Sequence, residues 1–244
     1  MSTNILCVIP ARLKSTRLAE KALQEINGKP MIQMTYEAAC QCPHLSNVIV
    51  ATDSDRIAAV ITGIGGEVAM TPGDIQTGSD RVAFVAKDHP EADVIINLQG
   101  DEPLIKPEML SELCEPFSQD PKPQMATLAY KLLPEEFDDP NFVKVIRDIH
   151  HNAIYFSRCP IPYPRSDSPR DTTLHHMGIY AYTREFLTIY TQLPQTSLEK
   201  AESLEQLRAI EHGYKIYVKE TQHRTLEVNT PEELAAVRAY TQSN

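Results

Sequence analysis

Short apolar runs that alternate with helical patterns constrain the fold of this chain more than any other feature. In the first half of the sequence the runs lie at residues 5–9, 47–52, 67–71 and 93–98, and helical patterns cover 30–42, 55–63 and about 79–88. Runs that are apolar on both faces and alternate with helices indicate a parallel sheet covered by helices. We therefore predict an α/β fold with a doubly wound, mostly parallel sheet. In such a sheet, ligands bind beyond the carboxyl ends of the strands.

The second half has a less regular pattern. Strands are predicted at 125–133, 143–147, 153–157 and 176–183, short strands near 215–218 and 225–228, and helices at 198–213 and 231–240. The segment 160–171 carries four prolines, which predicts a loop or an exposed arm. A length of 244 residues suits one domain with a small subdomain.

Charge and composition exclude several classes of protein. The net charge of −10 disfavours sequence-independent binding to nucleic acid, which requires a basic surface. No apolar run approaches the roughly 20 residues that cross a bilayer, so we expect no membrane partner. The start of the chain lacks the pattern of a signal peptide, and the five cysteines are scattered. We therefore expect a cytoplasmic protein with reduced thiols.

A basic loop follows the first predicted strand, where a ligand is expected. Residues 10–21 contain four cations in an acidic chain: Arg12, Lys14, Arg17 and Lys21. A triphosphate, with roughly four negative charges, would relieve their mutual repulsion, and the Ser15 hydroxyl adds a donor. The alternative is a solvated basic loop. The loop lacks the glycine patterns of the P-loop and of dinucleotide-binding folds, which disfavours a dehydrogenase.

Two further loops follow predicted strands. In 68–81, Gly73 and Gly78 permit tight turns before a helix that Thr77 or Ser79 would cap. In 96–105, Asp101 follows a buried run directly, and a carboxylate there, with substrate phosphates, suits Mg²⁺. The alternatives are an ordinary capped helix for the first loop and an Asx turn for the second.

The motifs, taken in order, resemble those of the sugar cytidylyltransferases and of their branch that acts on 3-deoxy-manno-octulosonate (Kdo). PARLKSTRLAEK resembles the opening motif PARxxSTRLPGKPL, and MTPGDIQTGSDR resembles MTxxDHxSGTDR. QGDEP is shared with the family. YFSRCPIPYPR and HMGIYAY resemble motifs that distinguish the Kdo branch from the sialic acid branch. The resemblance implies a Rossmann-like nucleotidyltransferase fold within a domain at 1–244. It has a nucleotide-binding half at 1–125 and, at 126–244, a mixed half for sugar binding and dimerisation.

The resemblance also implies roles for individual residues. Catalysis would depend on Arg12, Arg17, Lys21 and Asp101. CTP would contact Ala11, Arg12, Ser15, Arg17, Lys21, Gln76, Gly78, Ser79 and Arg81. Kdo would contact Gln99, Arg158, His176, Tyr180, Glu205 and Gln206, and Mg²⁺ would bind Asp101 and Asn229. Taken singly, these residues have structural alternatives, such as a core position for His176 or an ion pair between Glu205 and Arg208.

The chain departs from the family pattern at two places. Ala19 and Glu20 stand where the family has Pro-Gly, and Asn229 stands where it has a metal-binding Asp. Glu227, two residues before Asn229, would face the same way on a strand and supply a charge. The implied reaction transfers CMP from CTP to the anomeric hydroxyl of Kdo for lipopolysaccharide synthesis, in a homodimer. The alternatives are another 2-keto sugar acid as acceptor, or a weakly active relative that binds nucleotide.

Overall fold

The computed structural model describes residues 3–14, 18–163, 165 and 172–243. Its strands are β1 Ile5–Ala11, β2 Glu25–Ile26, β3 Lys29–Pro30, β4 Asn47–Thr52, β5 Glu67–Met70, β6 Val94–Asn97, β7 Met125–Lys131, β8 Lys144–Arg147, β9 Ala153–Ser157, β10 Thr173–Thr183 and β11 Tyr217–Glu220. Its α-helices are α1 Met31–Cys40, α2 Asp55–Gly63, α3 Gly78–Ala86, α4 Pro107–Cys114, α5 Arg184–Tyr190, α6 Ser197–Glu202, α7 Leu207–Glu211 and α8 Pro231–Ser243.

The chain divides into two units. The first comprises Met1–Ser111 and Thr225–Asn244, and the second comprises Glu112–Arg224. Sequence analysis divides the chain by function, into a nucleotide-binding half at 1–125 and a half for sugar binding and dimerisation at 126–244. This functional division stays a prediction. The units follow the packing instead, because the C-terminal segment belongs with the first unit.

The first unit contains a parallel sheet in the order β6-β1-β4-β5. The chain steps outward from β1 to β4 and β5, and then returns to the other side of β1 for β6. This reversal creates a topological switch point between β1 and β6, which is where ligands bind in open α/β sheets. All seven residues of β1 are buried. The predicted parallel sheet is therefore confirmed in this unit.

The helices of the first unit begin where the sequence provides caps. The Ser54 hydroxyl accepts a hydrogen bond from the backbone N–H of Ile57 at 3.5 Å, and α2 packs on β4 and β5. Thr77, rather than Ser79, caps α3 by accepting from the N–H of Asp80 at 3.0 Å. Since α3 packs on β1 and β6, its N-terminus is placed beside the switch point.

A small apolar cluster joins the C-terminal helix to the loop after β1. Asn27 and Gly28 both have positive φ, as the two-residue turn between β2 and β3 requires. The cluster comprises Leu18, Ile26, Met31, Val228, Leu234 and Val237. Leu18 and Ile26 flank Lys21 along the chain and Val228 precedes Asn229, so this cluster anchors both of the segments that carry these two residues.

The second unit contains a mixed sheet. β11 runs parallel to β7, whereas β7–β10, β10–β8 and β8–β9 are antiparallel pairs. A mixed arrangement was predicted for this part of the chain, and the pairings confirm it. A row of aromatic rings runs from Phe156 through His176, Tyr180 and Tyr182 to Tyr190.

Three predictions about secondary structure were wrong or incomplete. The helix predicted at 198–213 is divided into α6 and α7, because Ser203 adopts a left-handed conformation with φ of 53°. Residues 225–228 form no strand. Helices α4 and α5 and the β2–β3 hairpin were not predicted.

Within the described residues, no helix has both the length and the apolar character that a membrane span requires. The described residues include all five cysteines, and none of them forms a disulfide bond.

Candidate active site

The loops after β1 and β6 meet at the switch point. A Cβ atom placed on Gly100 would lie 3.0 Å from Cδ1 of Ile32 and 3.3 Å from the carbonyl oxygen of Pro10. Glycine is thus the residue that lets the loop after β6 pass this close to the end of β1. This close approach sets the position of Asp101, the next residue along.

Lys21 contacts the residues predicted to bind the metal. Its ammonium forms an ion pair with Oδ2 of Asp101 and donates a hydrogen bond to Oδ1 of Asn229 at 3.0 Å. The Lys21 and Asp101 side chains are only 20% and 14% exposed. The N–H of Val228 donates to the carbonyl oxygen of Asp101 at 3.0 Å and holds the two segments together. The structure therefore brings Lys21, Asp101 and Asn229 to one point.

Further carboxyl groups surround this point. Glu102 is buried, and its Oε2 accepts a hydrogen bond from Thr225 Oγ1 at 2.9 Å. Burial, followed by the charges of Glu227 and Asp101, raises the pKa of Glu102 well above its ordinary value. Glu227 is exposed as a whole residue, but its carboxyl group is surrounded by protein atoms. Desolvation of this carboxyl group, followed by the charge of Asp101, raises the pKa of Glu227. The site therefore has a surplus of negative charge.

The donor atoms at this point fit Mg²⁺. Asp101 Oδ1 is buried and has no hydrogen-bond partner among the described residues, and Asn229 offers an amide oxygen. Mg²⁺ prefers oxygen ligands and usually takes one or two protein carboxylates together with substrate phosphates. In the described part of the chain, no three acidic, histidine or cysteine side chains form a ready-made metal site. A site of this kind would therefore be completed by a phosphate group.

Glu20 pairs with Arg56, a cation outside the basic loop. Its φ of 48° and ψ of 39° lie in the left-handed region, where the glycine of the family motif fits without strain. Its carboxylate forms a bidentate pair with Arg56, with Oε2 at 2.9 Å from Nη2. Since Arg56 neutralises Glu20, this departure from the family motif does not place an unpaired anion beside Lys21. Ser15 and Arg17, also predicted to bind nucleotide, lie outside the described residues.

Arg81 is held at the ends of two neighbouring strands. Its guanidinium is fully buried, donates to Thr71 Oγ1 and lies 3.6 Å from Asp53 Oδ2 through Nη2. Burial and then the repulsion of the half-buried Arg12 lower the pKa of Arg81, and Asp53 opposes this change. Two neighbouring cations favour an anionic ligand. Sequence analysis missed Asp53 and Thr71, although each directly follows a strand.

Of the remaining residues predicted to bind nucleotide, Gly78 lies close to Gln99. A Cβ atom on Gly78 would lie 3.3 Å from Nε2 of Gln99, and Gln99 itself donates to Oδ1 of Asn97 at 2.8 Å. Ser79 is buried, whereas Gln76 is exposed and donates to the carbonyl oxygen of Asp74 at 2.6 Å. Ala11 is the buried last residue of β1.

In the second unit the structure groups three of the predicted sugar-binding residues. His176 Nδ1 lies 3.5 Å from Nε2 of buried Gln206, and the ring centroids of His176 and Tyr180 are 5.4 Å apart. Burial and then the neighbouring His175 lower the pKa of His176 to about 3, so its imidazole is neutral at neutral pH. The backbone carbonyl of Glu205 accepts from the Tyr190 hydroxyl at 3.0 Å. Arg208, the suggested alternative partner of Glu205, forms a buried ion pair with Glu199.

Arg158 is tied to backbone oxygens of its own unit. Its Nε donates to the carbonyl of Glu202 at 2.9 Å and its Nη1 to that of Pro140 at 3.1 Å. Buried Lys144 donates to the carbonyl of Arg158 at 3.0 Å. The predicted role of Arg158 in binding a carboxylate stays a prediction, and it would use the donors that these bonds leave.

Comparisons with known proteins identify the family. The family model described as "Cytidylyltransferase" matches residues 6–216. The chain belongs to the cytidylyltransferase family. It is 45% identical over 240 residues to the 3-deoxy-manno-octulosonate cytidylyltransferase of Acaryochloris marina, covering 98% of each chain. It is 46% identical over 246 residues to the enzyme of the same name from Syntrophotalea carbinolica, covering 97% of this chain and 98% of the relative.

A solved structure agrees with these relatives. CMP:2-keto-3-deoxy-manno-octonic acid synthetase complexed with CTP matches with a TM-score of 0.93 and 43% identity, covering 99% of both chains. The resemblance that the motifs indicate is therefore confirmed over nearly the whole chain, and so is the nucleotidyltransferase fold.

Proposed function

We propose that this protein transfers CMP from CTP to the anomeric hydroxyl of Kdo and releases pyrophosphate. Full-length identities of 43%, 45% and 46% to proteins named for this activity support the reaction. The observation that carries the proposal is the contact of Lys21, from the basic loop, with Asp101 at the switch point of the sheet. A cation and a carboxylate placed there suit a metal-loaded triphosphate.

The basic loop would bind the triphosphate and stabilise the leaving group. The anomeric hydroxyl attacks the α-phosphorus in line, the bond to the β-phosphate oxygen breaks, and negative charge develops on pyrophosphate. Arg12 and Lys21, with Arg17, supply cations for that charge, and such contacts are catalytic because they strengthen in the transition state. Arg81 would position the loop after β5, since its buried guanidinium contacts Thr71.

Asp101 and Asn229 would hold Mg²⁺. When bound, this ion supplies Lewis-acid polarisation of the phosphoryl oxygens and lowers the pKa of the attacking hydroxyl. Asn229 contributes an oxygen without a charge, so we expect weaker metal binding than two carboxylates would give. Glu227 adds negative charge nearby, because its Oε1 accepts from Asn229 Nδ2 at 2.5 Å.

The residues proposed to contact Kdo are Gln99 in the first unit and Arg158, His176, Tyr180, Glu205 and Gln206 in the second. His176 stays neutral at neutral pH and its Nδ1 faces the Gln206 amide, so its Nε2–H is the ring donor that can contact a sugar hydroxyl. His176 Nε2 is buried and has no hydrogen-bond partner among the described residues, which leaves it available for such a contact.

The proposed setting is lipopolysaccharide synthesis in a cytoplasm, with a homodimer as the assembly. The comparisons do not favour another 2-keto sugar acid as the acceptor, since the relatives above carry the Kdo name. The pairing of Glu20 with Arg56 removes one reason to expect a weakly active protein.

The decisive experiment measures pyrophosphate release from CTP, Kdo and Mg²⁺. Replacing CTP by UTP, or Kdo by sialic acid, should reduce the rate strongly. Lys21→Ala and Asp101→Ala should each lower kcat/KM on the order of 100-fold, as expected for loss of a transition-state contact. Lys29→Ala removes an exposed lysine that pairs with Glu37 at 2.8 Å and should leave the rate unchanged. A change below about threefold for both active-site variants would contradict the proposed roles.

A further inference from the structure

The ammonium of Lys21 contacts the same two side chains that are proposed to bind the metal. It pairs with Oδ2 of Asp101 and donates to Oδ1 of Asn229 at 3.0 Å, while Oδ1 of Asp101 has no hydrogen-bond partner among the described residues. The charges of these three groups are +1, −1 and 0, and they sum to zero. Had position 229 been Asp, one lysine would leave these three groups with a net charge of −1. Because Asn229 is neutral, Lys21 balances the charge of Asp101, although Glu102 and Glu227 lie nearby.

The amide of Asn229 is fixed in the orientation that suits a cation at this point. Its Nδ2 donates to Oε1 of Glu227 at 2.5 Å, and its backbone N–H donates to Oε2 of Glu233 at 2.6 Å. Turning the amide over would set its NH₂ group against the Lys21 ammonium and its oxygen against the Glu227 carboxylate. Asn229 thus presents its oxygen to whichever cation occupies the point.

We propose that Lys21 is an internal counter-cation, which keeps divalent metal off Asp101 and Asn229 until nucleotide binds. An ammonium and Mg²⁺ repel each other, so a metal ion on Asp101 and Asn229 is disfavoured while Lys21 contacts both side chains. A triphosphate offers Lys21 roughly four negative charges in place of one, so nucleotide draws the ammonium away from both side chains. The inference rests on the proposed function in one respect, namely that a nucleoside triphosphate is the natural ligand of the basic loop.

Two consequences follow for ligand binding. The nucleotide-free protein should bind divalent metal weakly, although it carries acidic residues around the site. Metal and nucleotide should bind with positive coupling, and the coupling should be reciprocal because it is a difference of free energies. Lys21 then has two successive partners, first Asp101 and later the phosphates.

The direct test measures Mn²⁺ binding to nucleotide-free protein by electron paramagnetic resonance of the free ion. Lys21→Met should bind Mn²⁺ at least about tenfold more tightly than wild type, because the competing charge is gone. Lys29→Met is the matched control. It also removes a lysine from a carboxylate pair, with Nζ at 2.8 Å from Glu37, but at an exposed position elsewhere. It should bind Mn²⁺ as wild type does. Unchanged affinity in Lys21→Met, or an equal gain in Lys29→Met, would overturn the proposal.

A second measurement uses only wild-type protein and so does not depend on how a variant folds. The ¹H–¹⁵N signal of the Lys21 ammonium is followed by NMR during titrations. Mg²⁺ alone should leave the signal in place, and CTP without metal should shift it. Displacement of the signal by Mg²⁺ alone at millimolar concentration would refute the internal counter-cation. Neither measurement involves turnover, so loss of the pyrophosphate-release activity and failure of this inference are separate results.

Discussion

His176 gives a quantitative prediction for the pH dependence of stability. It is 6% exposed, and its ring packs edge-on against Phe156 with centroids 4.9 Å apart. Burial and the adjacent His175 lower its pKa from 6.5 to about 3. Between these two values the unfolded chain binds a proton that the folded chain does not, so the free energy of unfolding must fall as the pH falls.

The magnitude follows from the two pKa values. The contribution of neutral His176 to the free energy of unfolding is fully present above the pKa that His176 has in the unfolded chain. It decreases as the pH falls below that value. Lowering the pH from about 7 to about 5 should remove about 2 kcal/mol through this one residue. His176→Gln carries no titrating group at this position, so it should lack that part of the loss.

The assay is urea unfolding of wild type and His176→Gln at both pH values, with the change in free energy of unfolding compared between them. The contribution of His175, whose pKa is also about 3, is present in both proteins and cancels to first order. His150→Gln, at an exposed position, is the control and should follow wild type. Equal losses of stability in wild type and His176→Gln would show that His176 does not stay neutral in the folded protein.

The remaining predictions concern the two loops of the active site. Glu20→Gly should leave KM for CTP within about threefold and the urea midpoint of unfolding nearly unchanged, because glycine relieves the left-handed residue and so offsets loss of the exposed pair with Arg56. A tenfold change in KM in steady-state kinetics would contradict this. Gly100→Ala should lower the free energy of unfolding by about 1–3 kcal/mol and should also lower kcat, because the new Cβ meets Ile32 and the Pro10 carbonyl and displaces the following residue. Wild-type values of both quantities, in thermal or urea unfolding and in steady-state kinetics, would refute the close approach.

Local sequence patterns predicted many strands and helices of the first unit well, because apolar runs and helical patterns mark where these elements begin and end. The runs 47–52 and 55–63 form β4 and α2 with the predicted bounds. No local sequence signal indicates which strands pair with one another. The carboxyl-edge rule nevertheless predicted that the loops after the first and fourth predicted strands lie at one edge of the sheet, and the contact of Lys21 with Asp101 agrees with it although 80 residues separate them.

The predictions failed where a single backbone angle or a distant partner decides the structure. Ser203 ends α6 in a left-handed conformation, and the Leu204 N–H returns to the Glu199 carbonyl at 3.2 Å. Glycine is the usual signal for such an end, and the sequence has none there. Side-chain geometry between separate elements decides two other contacts, the pair of Glu20 with Arg56 and the hydrogen bonds of Arg158 to backbone carbonyls. The hydrophobic periodicity of the sequence carries no information about such contacts.

The return of the C-terminal segment to the first unit affects how the protein is made. Val228, Leu234 and Val237 complete the cluster around Leu18, and Asn229 meets Lys21 from the far end of the chain. The ribosome synthesises these residues after the whole second unit, so a nascent chain that has completed the second unit still lacks them. A polypeptide terminated before this segment would lack three of the six buried residues of the cluster and the Asn229 contact of Lys21.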